Sequence, residues 1–324
     1  MKRIFLIVFT LASTLLAGAA NKYDNPDTLF VARDGTGEFR TIDEAIEVCR
    51  AFMDYHKVIF VKRGIYKEKL IIPSWLTNIE ICGEDRDQTV ITYDDHANIK
   101  RVETNKPMGT FRTYTLKIEG CDITLKNITI ENNSARLGQA VALHTEGDRL
   151  LFINCQFLGH QDTIYTGMEN TRLYFFNCYI EGTTDFIFGP STAWFEGCQI
   201  YCKINSYITA ASTPRYIPYG YIFNHCVITA AEGVDKVYLG RPWRDYAYTL
   251  FMNCDLPRQI RPEGWHKWRE GTQKTARYLE YNNYGEGAGR SGREPWSSEL
   301  TKKEADRITL KEVFRRQDDW IPAP

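Results

Sequence analysis

The sequence predicts an all-β protein, a parallel β-helix, and three observations carry that expectation. The first is a repeat. Five segments, LLFINCQF (150–157), LYFFNCYI (173–180), AWFEGCQI (193–200), YIFNHCVI (221–228) and TLFMNCDL (249–256), share one form: apolar residues, a small or polar residue, Cys, one more residue, then an apolar one. The Cys-to-Cys steps are 23, 20, 28 and 28, and ITLKNITI (123–130) sets Ile128 in the Cys position 27 residues before Cys155. The second is periodicity. Short alternating segments without intervening helical spacing, recurring every few tens of residues, mark a solenoid of β coils. The third is register: RLLFINCQFLGHQDTI (149–164) and RLYFFNCYIEGTTDFI (172–187) agree at Arg, Leu, Phe, Asn, Cys, Gly, Asp and Ile. Equivalent positions on adjacent coils then stack about 4.8 Å apart.

Taken from the N-terminus, the chain opens with Lys2 and Arg3, an apolar run from Ile4 to Leu16 and the small residues Ala17-Gly18-Ala19. This is the form of a signal peptide, read over 1–20. The run is shorter than the roughly 20 residues a spanning helix needs, so export to the periplasm or beyond is expected rather than anchoring. Thr41 and Glu44 form a capping box ahead of Ala45, Ile46, Cys49 and Met53 at helical spacing, predicting a capping helix over 41–53. A second box, Thr301 to Glu304, opens a charged helical tail near 301–316 that would help cover the solenoid's edges. No linker composition interrupts the chain, so residues 23–324 are expected to form one domain, active as a monomer.

Loss of Lys2 and Arg3 with the leader takes the formal net charge of −1 to −3. That balance gives no basic footprint for nucleic acid. The nine cysteines contain no Cys-x-x-Cys pair and the six histidines no metal-ligand spacing. No metal and no cofactor are expected; the repeated thiols read as an inward ladder, with disulfides between some of them left open.

In the two matched coils, Asp162 and Asp185 each follow their Cys by seven residues, which places two carboxylates on adjacent coils. Neighbouring carboxylates split their pKa values, leaving one proton-bearing and one charged group. Two turn aspartates or an external calcium pair would also fit the pattern. So would a glycosidase, an ester hydrolase or a calcium-dependent lyase. Gln161 beside Asp162, and Gln139 leading into the same coil, add side-chain amide donors suited to an oxyanion and favour the ester hydrolase.

GIYKEK (64–69), QAVAL (139–143), GHQDTIY (159–165), DFIFG (185–189) and LGRPW (239–243), with VARDGTGEFRTIDEAI (31–46), GWHKW (264–268) and EYNNYGEGA (280–288), resemble the signature segments of the pectin methylesterases. The resemblance implies a right-handed parallel β-helix that hydrolyses the C6 methyl esters of galacturonate units in pectin. It matches Asp185 to the nucleophile and Asp162 to the general acid/base. Gln139 and Gln161 match the oxyanion donors, and Arg241 the arginine that hydrogen-bonds the nucleophile. Arg241 is expected to keep Asp185 ionised at low pKa beside a raised Asp162. Trp243, Phe188 and Thr110 match substrate-contacting positions; Tyr165, Trp265 and Trp268 are weaker additions, the two tryptophans being equally readable as packing. Gly64, Tyr66 and Glu68 read as structural. His160 stands where many members carry Tyr and is expected to touch substrate or to titrate near neutrality. A β-helix glycoside hydrolase acting on polygalacturonate, or a non-catalytic carbohydrate-binding solenoid, are the rival readings.

Overall fold

The structure, a computed structural model, describes residues 21–323; the leader read at 1–20 lies outside the described residues. Among the described residues no helix is long and apolar enough to cross a membrane. Three sheets of eleven, seven and seven strands wind around a common core, and every strand pair between coils is parallel. One coil supplies Leu150–Ile153, Gln156–Leu158 and Ile164–Thr166, one strand to each sheet. The next supplies Arg172–Phe176, Tyr179–Gly182 and Ile187–Gly189. Leu150 pairs with Leu173 and Ile164 with Ile187, the 23-residue register of the sequence.

The repeat is the core seen edge-on. The phenylalanine three residues before each cysteine stacks on its equivalent: Phe152, Phe175, Phe195, Phe223 and Phe251 lie with centroids 4.4, 4.6, 4.4 and 4.3 Å apart. All five rings are buried, as are Cys155, Cys178, Cys198, Cys226 and Cys254. Each of the last four thiols donates to the carbonyl of the phenylalanine one coil earlier, and Cys155 to that of Leu125, at 3.3–3.5 Å. None of the nine cysteines forms a disulfide. The residue before each ladder position, Ile128 and the five cysteines, turns the corner: Asn127, Asn154, Asn177, Gly197, His225 and Asn253 all adopt positive φ between 49° and 61°. Asparagine reaches that left-handed region more readily than other L residues. Its side chains also bond from coil to coil, Asn154 donating to Asn127 at 2.8 Å.

The two helical expectations need correction. The N-terminal helix covers only Ile42–Glu47. Thr41 caps it, both halves of the capping box are present, and Glu68 accepts the Ile42 and Asp43 N–H groups. Beyond Val48 the chain turns because Phe52 adopts φ 54° and donates its N–H to the Trp75 carbonyl. Cys49 and Met53 are buried without being helical. The C-terminal tail is two single turns, Lys302–Ala305 and Leu310–Val313, and lies along the outer face of the eleven-stranded sheet. Its place follows from the apolar surface there: Val313 and Phe314 cover Tyr174, Trp194, Ile222 and Leu250. Buried Arg172 fastens it, pairing with Asp148 and Asp318 under the ring of Trp320.

Phe175 is an interior ring of the phenylalanine stack, between Phe152 and Phe195, so Phe175→Ala removes contacts on both neighbours at once. The expected loss is about 3–5 kcal/mol, with a smaller loss for Phe175→Leu, both measured by denaturant unfolding.

Candidate active site

Asp162 and Asp185 occupy the same corner of successive coils, just before the strands Ile164–Thr166 and Ile187–Gly189. Both stand in the left-handed region, with φ 69° and 49°. Their backbones are pinned in sequence: Asp162 N–H donates to the Thr184 carbonyl at 3.1 Å and Asp185 N–H to the Tyr207 carbonyl at 2.9 Å. Both side chains are buried, with 8 % and 4 % of the residue exposed. They open into a cleft of about 170 Å³ lined also by Thr110, Gln139, Gln161, Phe188, Trp243 and Trp268, with Phe111 and Ala210 completing its wall.

Arg241 comes from the coil beyond the one that follows Asp185. Its Nε and Nη2 donate to the two carboxylate oxygens of Asp185 at 3.0 and 2.6 Å, a bidentate pair. The surrounding LGRPW segment is locked to the strand Tyr207–Ala211, with Arg241 N–H donating to Thr209 and Trp243 N–H to Ala211, each at 2.9 Å. Gly240 allows that approach, because a Cβ there would collide with Thr209 Oγ1.

Burial pushes the Asp162 carboxyl well above its ordinary range, and the neighbouring charge of Asp185 adds to it. Burial raises Asp185 as well, while the Arg241 hydrogen bonds and charge oppose the shift. The expectation of a low-pKa Asp185 is therefore corrected: desolvation outweighs the guanidinium. The ordering survives, since Asp162 has the like charge and no hydrogen-bonded cation. Asp185 is the acid that ionises first.

Gln139 and Gln161 are brought together by the Ala140 N–H, which donates to the Gln161 carbonyl at 3.0 Å. Both line the cleft, and neither side-chain amide has a hydrogen-bond partner among the described residues. The aromatic positions form a continuous row: Phe111 packs on Tyr165 at 4.7 Å, Tyr165 stacks on Phe188 at 4.7 Å, and Phe188 meets Trp243 edge-on at 5.8 Å. Thr110 begins a single 3₁₀ turn, Thr110–Arg112, that carries Phe111 to this row.

The two tryptophans of GWHKW separate. Trp265 is buried and donates to Glu280 at 3.1 Å, so it is packing; Trp268 reaches the cleft. His160 does not line the cleft. It is half-buried, and burial with the charge of Lys203 lowers its pKa. Sequence reasoning missed Phe111 and Tyr207. Phe111 adjoins Thr110 in GTFRTYT, and Tyr207 is the first residue of the strand that follows Asp185 by one coil, so both had a positional signal. Among the described residues no group of three or more His, Cys, Asp or Glu could hold a metal ion.

Comparison with known proteins agrees with this geometry. A family model described as Pectinesterase matches residues 28–317. The chain is 37% identical over 299 residues to Pectinesterase 31 of Arabidopsis thaliana, covering 90% of this chain and 94% of that protein. Other relatives are longer: the chain spans about half the length of a probable pectinesterase/pectinesterase inhibitor from Brassica napus, at 34% identity. Among solved structures, the pectin methylesterase from carrot superimposes with a TM-score of 0.83 at 30% identity, over 90% of this chain and 93% of that one. A pectin methylesterase in complex with a hexasaccharide superimposes with a TM-score of 0.79 at 26% identity, over 91% and 98%. A parallel β-helix with two buried aspartates, one held by a bidentate arginine, and a match across nearly its whole length therefore place this chain in the pectinesterase family.

Proposed function

We propose that this protein hydrolyses the methyl esters of galacturonate units in pectin or its oligosaccharides, with Asp185 as nucleophile and Asp162 as general acid/base. The observation that carries the reading is the bidentate Arg241–Asp185 pair set beside an unpaired, buried Asp162. The pair keeps one carboxylate oriented and ionisable in the cleft, while its neighbour retains a proton.

In the first half-reaction an Asp185 oxygen attacks the C6 carbonyl, and the oxygen of the tetrahedral adduct accepts hydrogen bonds from the Gln139 and Gln161 amides. Collapse of the adduct breaks the bond to methoxide as Asp162 delivers its proton, so methanol leaves. The acyl group remains on Asp185 as an anhydride. In the second half, ionised Asp162 takes a proton from water as the water oxygen attacks the same carbon. The adduct collapses to release the galacturonate carboxyl group, with Asp185 ionised and Asp162 protonated again. The aromatic row and Thr110 offer a platform along the cleft for neighbouring sugars, supported by the hexasaccharide bound to a structural relative. Pectin is an extracellular polymer, and the leader read at 1–20 supports export to meet it.

Wild type is expected to release methanol from highly methylated pectin without shortening the polymer, and Asp185→Asn to lose at least about a thousandfold in rate. Methanol assay alongside polymer length decides this; reducing ends without methanol would point to a glycosidase instead. Activity requires ionised Asp185 and protonated Asp162, so kcat/KM should rise with pH through the Asp185 pKa and fall through that of Asp162, a bell measured on a short methylated oligosaccharide. Asp162 also bears on stability. Its folded pKa lies above the ordinary 3.8, so the folded state is favoured below pH 3.8 and loses stability as pH climbs through the folded value. Asp162→Asn should therefore raise Tm at neutral pH, with the gain vanishing below about pH 4.

A further inference from the structure

The guanidinium of Arg241 lies over two aromatic rings. Its central carbon lies 4.0 Å from the ring centroid of Tyr207 and 4.2 Å from that of Trp268. Planar guanidinium groups stack on aromatic faces through cation–π attraction, strongest where water is excluded. The two rings are themselves fixed. Tyr207 stacks on Tyr238 at 5.1 Å, and its hydroxyl hydrogen-bonds His266 Nδ1 at 3.1 Å. Leu239 N–H donates to the Gly264 carbonyl, His266 N–H donates to the Gly240 carbonyl, and Trp265 is tied to Glu280, so the segment leading to Trp268 is anchored beside the strand that ends at Gly240, just before the arginine.

We propose that Tyr207 and Trp268 are positioning residues that clamp Arg241 in the plane where it binds both oxygens of Asp185. The rings restrict movement of the guanidinium while its Nε and Nη2 donate to the two carboxylate oxygens. Trp268 touches both this clamp and the cleft, so it has two separable roles: as a wall for the sugar it affects binding, and as a clamp it affects the charge state of the nucleophile. The inference rests on the esterase reading.

Asp185 is faced by Asp162, Arg241 and the buried Tyr278 phenol. Arg241 is faced by Asp185, Asp162, Tyr207 and His266. Burial and the charge of Arg241 lower the His266 pKa. Of these groups, only Arg241 holds Asp185 toward its ionised form. Loosening the clamp leaves Asp185 buried with a less well-placed cation, which makes it harder to ionise.

The experiment is the pH profile of kcat/KM for methanol release by wild type, Trp268→Leu and Trp268→Phe. Trp268 is 36% exposed, so both variants leave the buried core intact. Trp268→Leu should move the acidic limb to higher pH by about one unit, and Trp268→Phe, which restores a π face, should return most of that shift. A raised KM with the acidic limb unmoved in Trp268→Leu would overturn the clamp and leave Trp268 as a sugar wall alone. A wild type that releases no methanol would instead remove the esterase reading on which the inference stands.

Discussion

In-register parallel pairing of successive coils is the constraint on which this molecule depends. Once Leu150 lies on Leu173 and Ile164 on Ile187, every side chain between them is placed relative to its equivalent. The phenylalanine stack and the cysteine ladder fill the interior because the register repeats them at the strand spacing. The same register sets two aspartates side by side at a corner without any dedicated scaffold. Chemistry here is a by-product of translation along an axis: repeat a residue one coil on, and a pair is made.

That geometry carries an electrostatic cost which the surroundings divide unequally. Both carboxyls lose water, and burial raises both. Only one of them meets a hydrogen-bonded cation. The asymmetry comes from a third coil, because Arg241 reaches back past the strand of Tyr207 to Asp185 and leaves Asp162 as the acid that bears the like charge. An identical pair in the sequence becomes an electrostatically unlike pair in the structure.

What could be read from the sequence follows from this division. Whatever repeats was legible: the coil pattern, the inward cysteines and the aspartate pair. What depends on a single long-range contact was not. Arg241 lies 56 residues from Asp185 on a coil of different length, and only the family resemblance joined them. Tyr207 supports that arginine from below and carries no motif of its own. Trp265 and Trp268 share one short segment but face opposite ways, which composition cannot separate. The N-terminal helix was overextended because the left-handed Phe52 interrupts an otherwise helical spacing. The low pKa expected of Asp185 weighed its partner and left out its burial.

The left-handed backbone at Asp162 and Asp185 has a consequence for how such a site can vary. These are the same kind of corner that Asn127, Asn154, Asn177 and Asn253 turn elsewhere in the solenoid. Asparagine fits that corner without backbone strain, whereas alanine or a β-branched residue does not. An aspartate and an asparagine at such a corner therefore differ by one amide while both accept the left-handed backbone. On the proposed esterase reading, the chemistry at these two positions can therefore be lost by a single substitution that the backbone corner accepts.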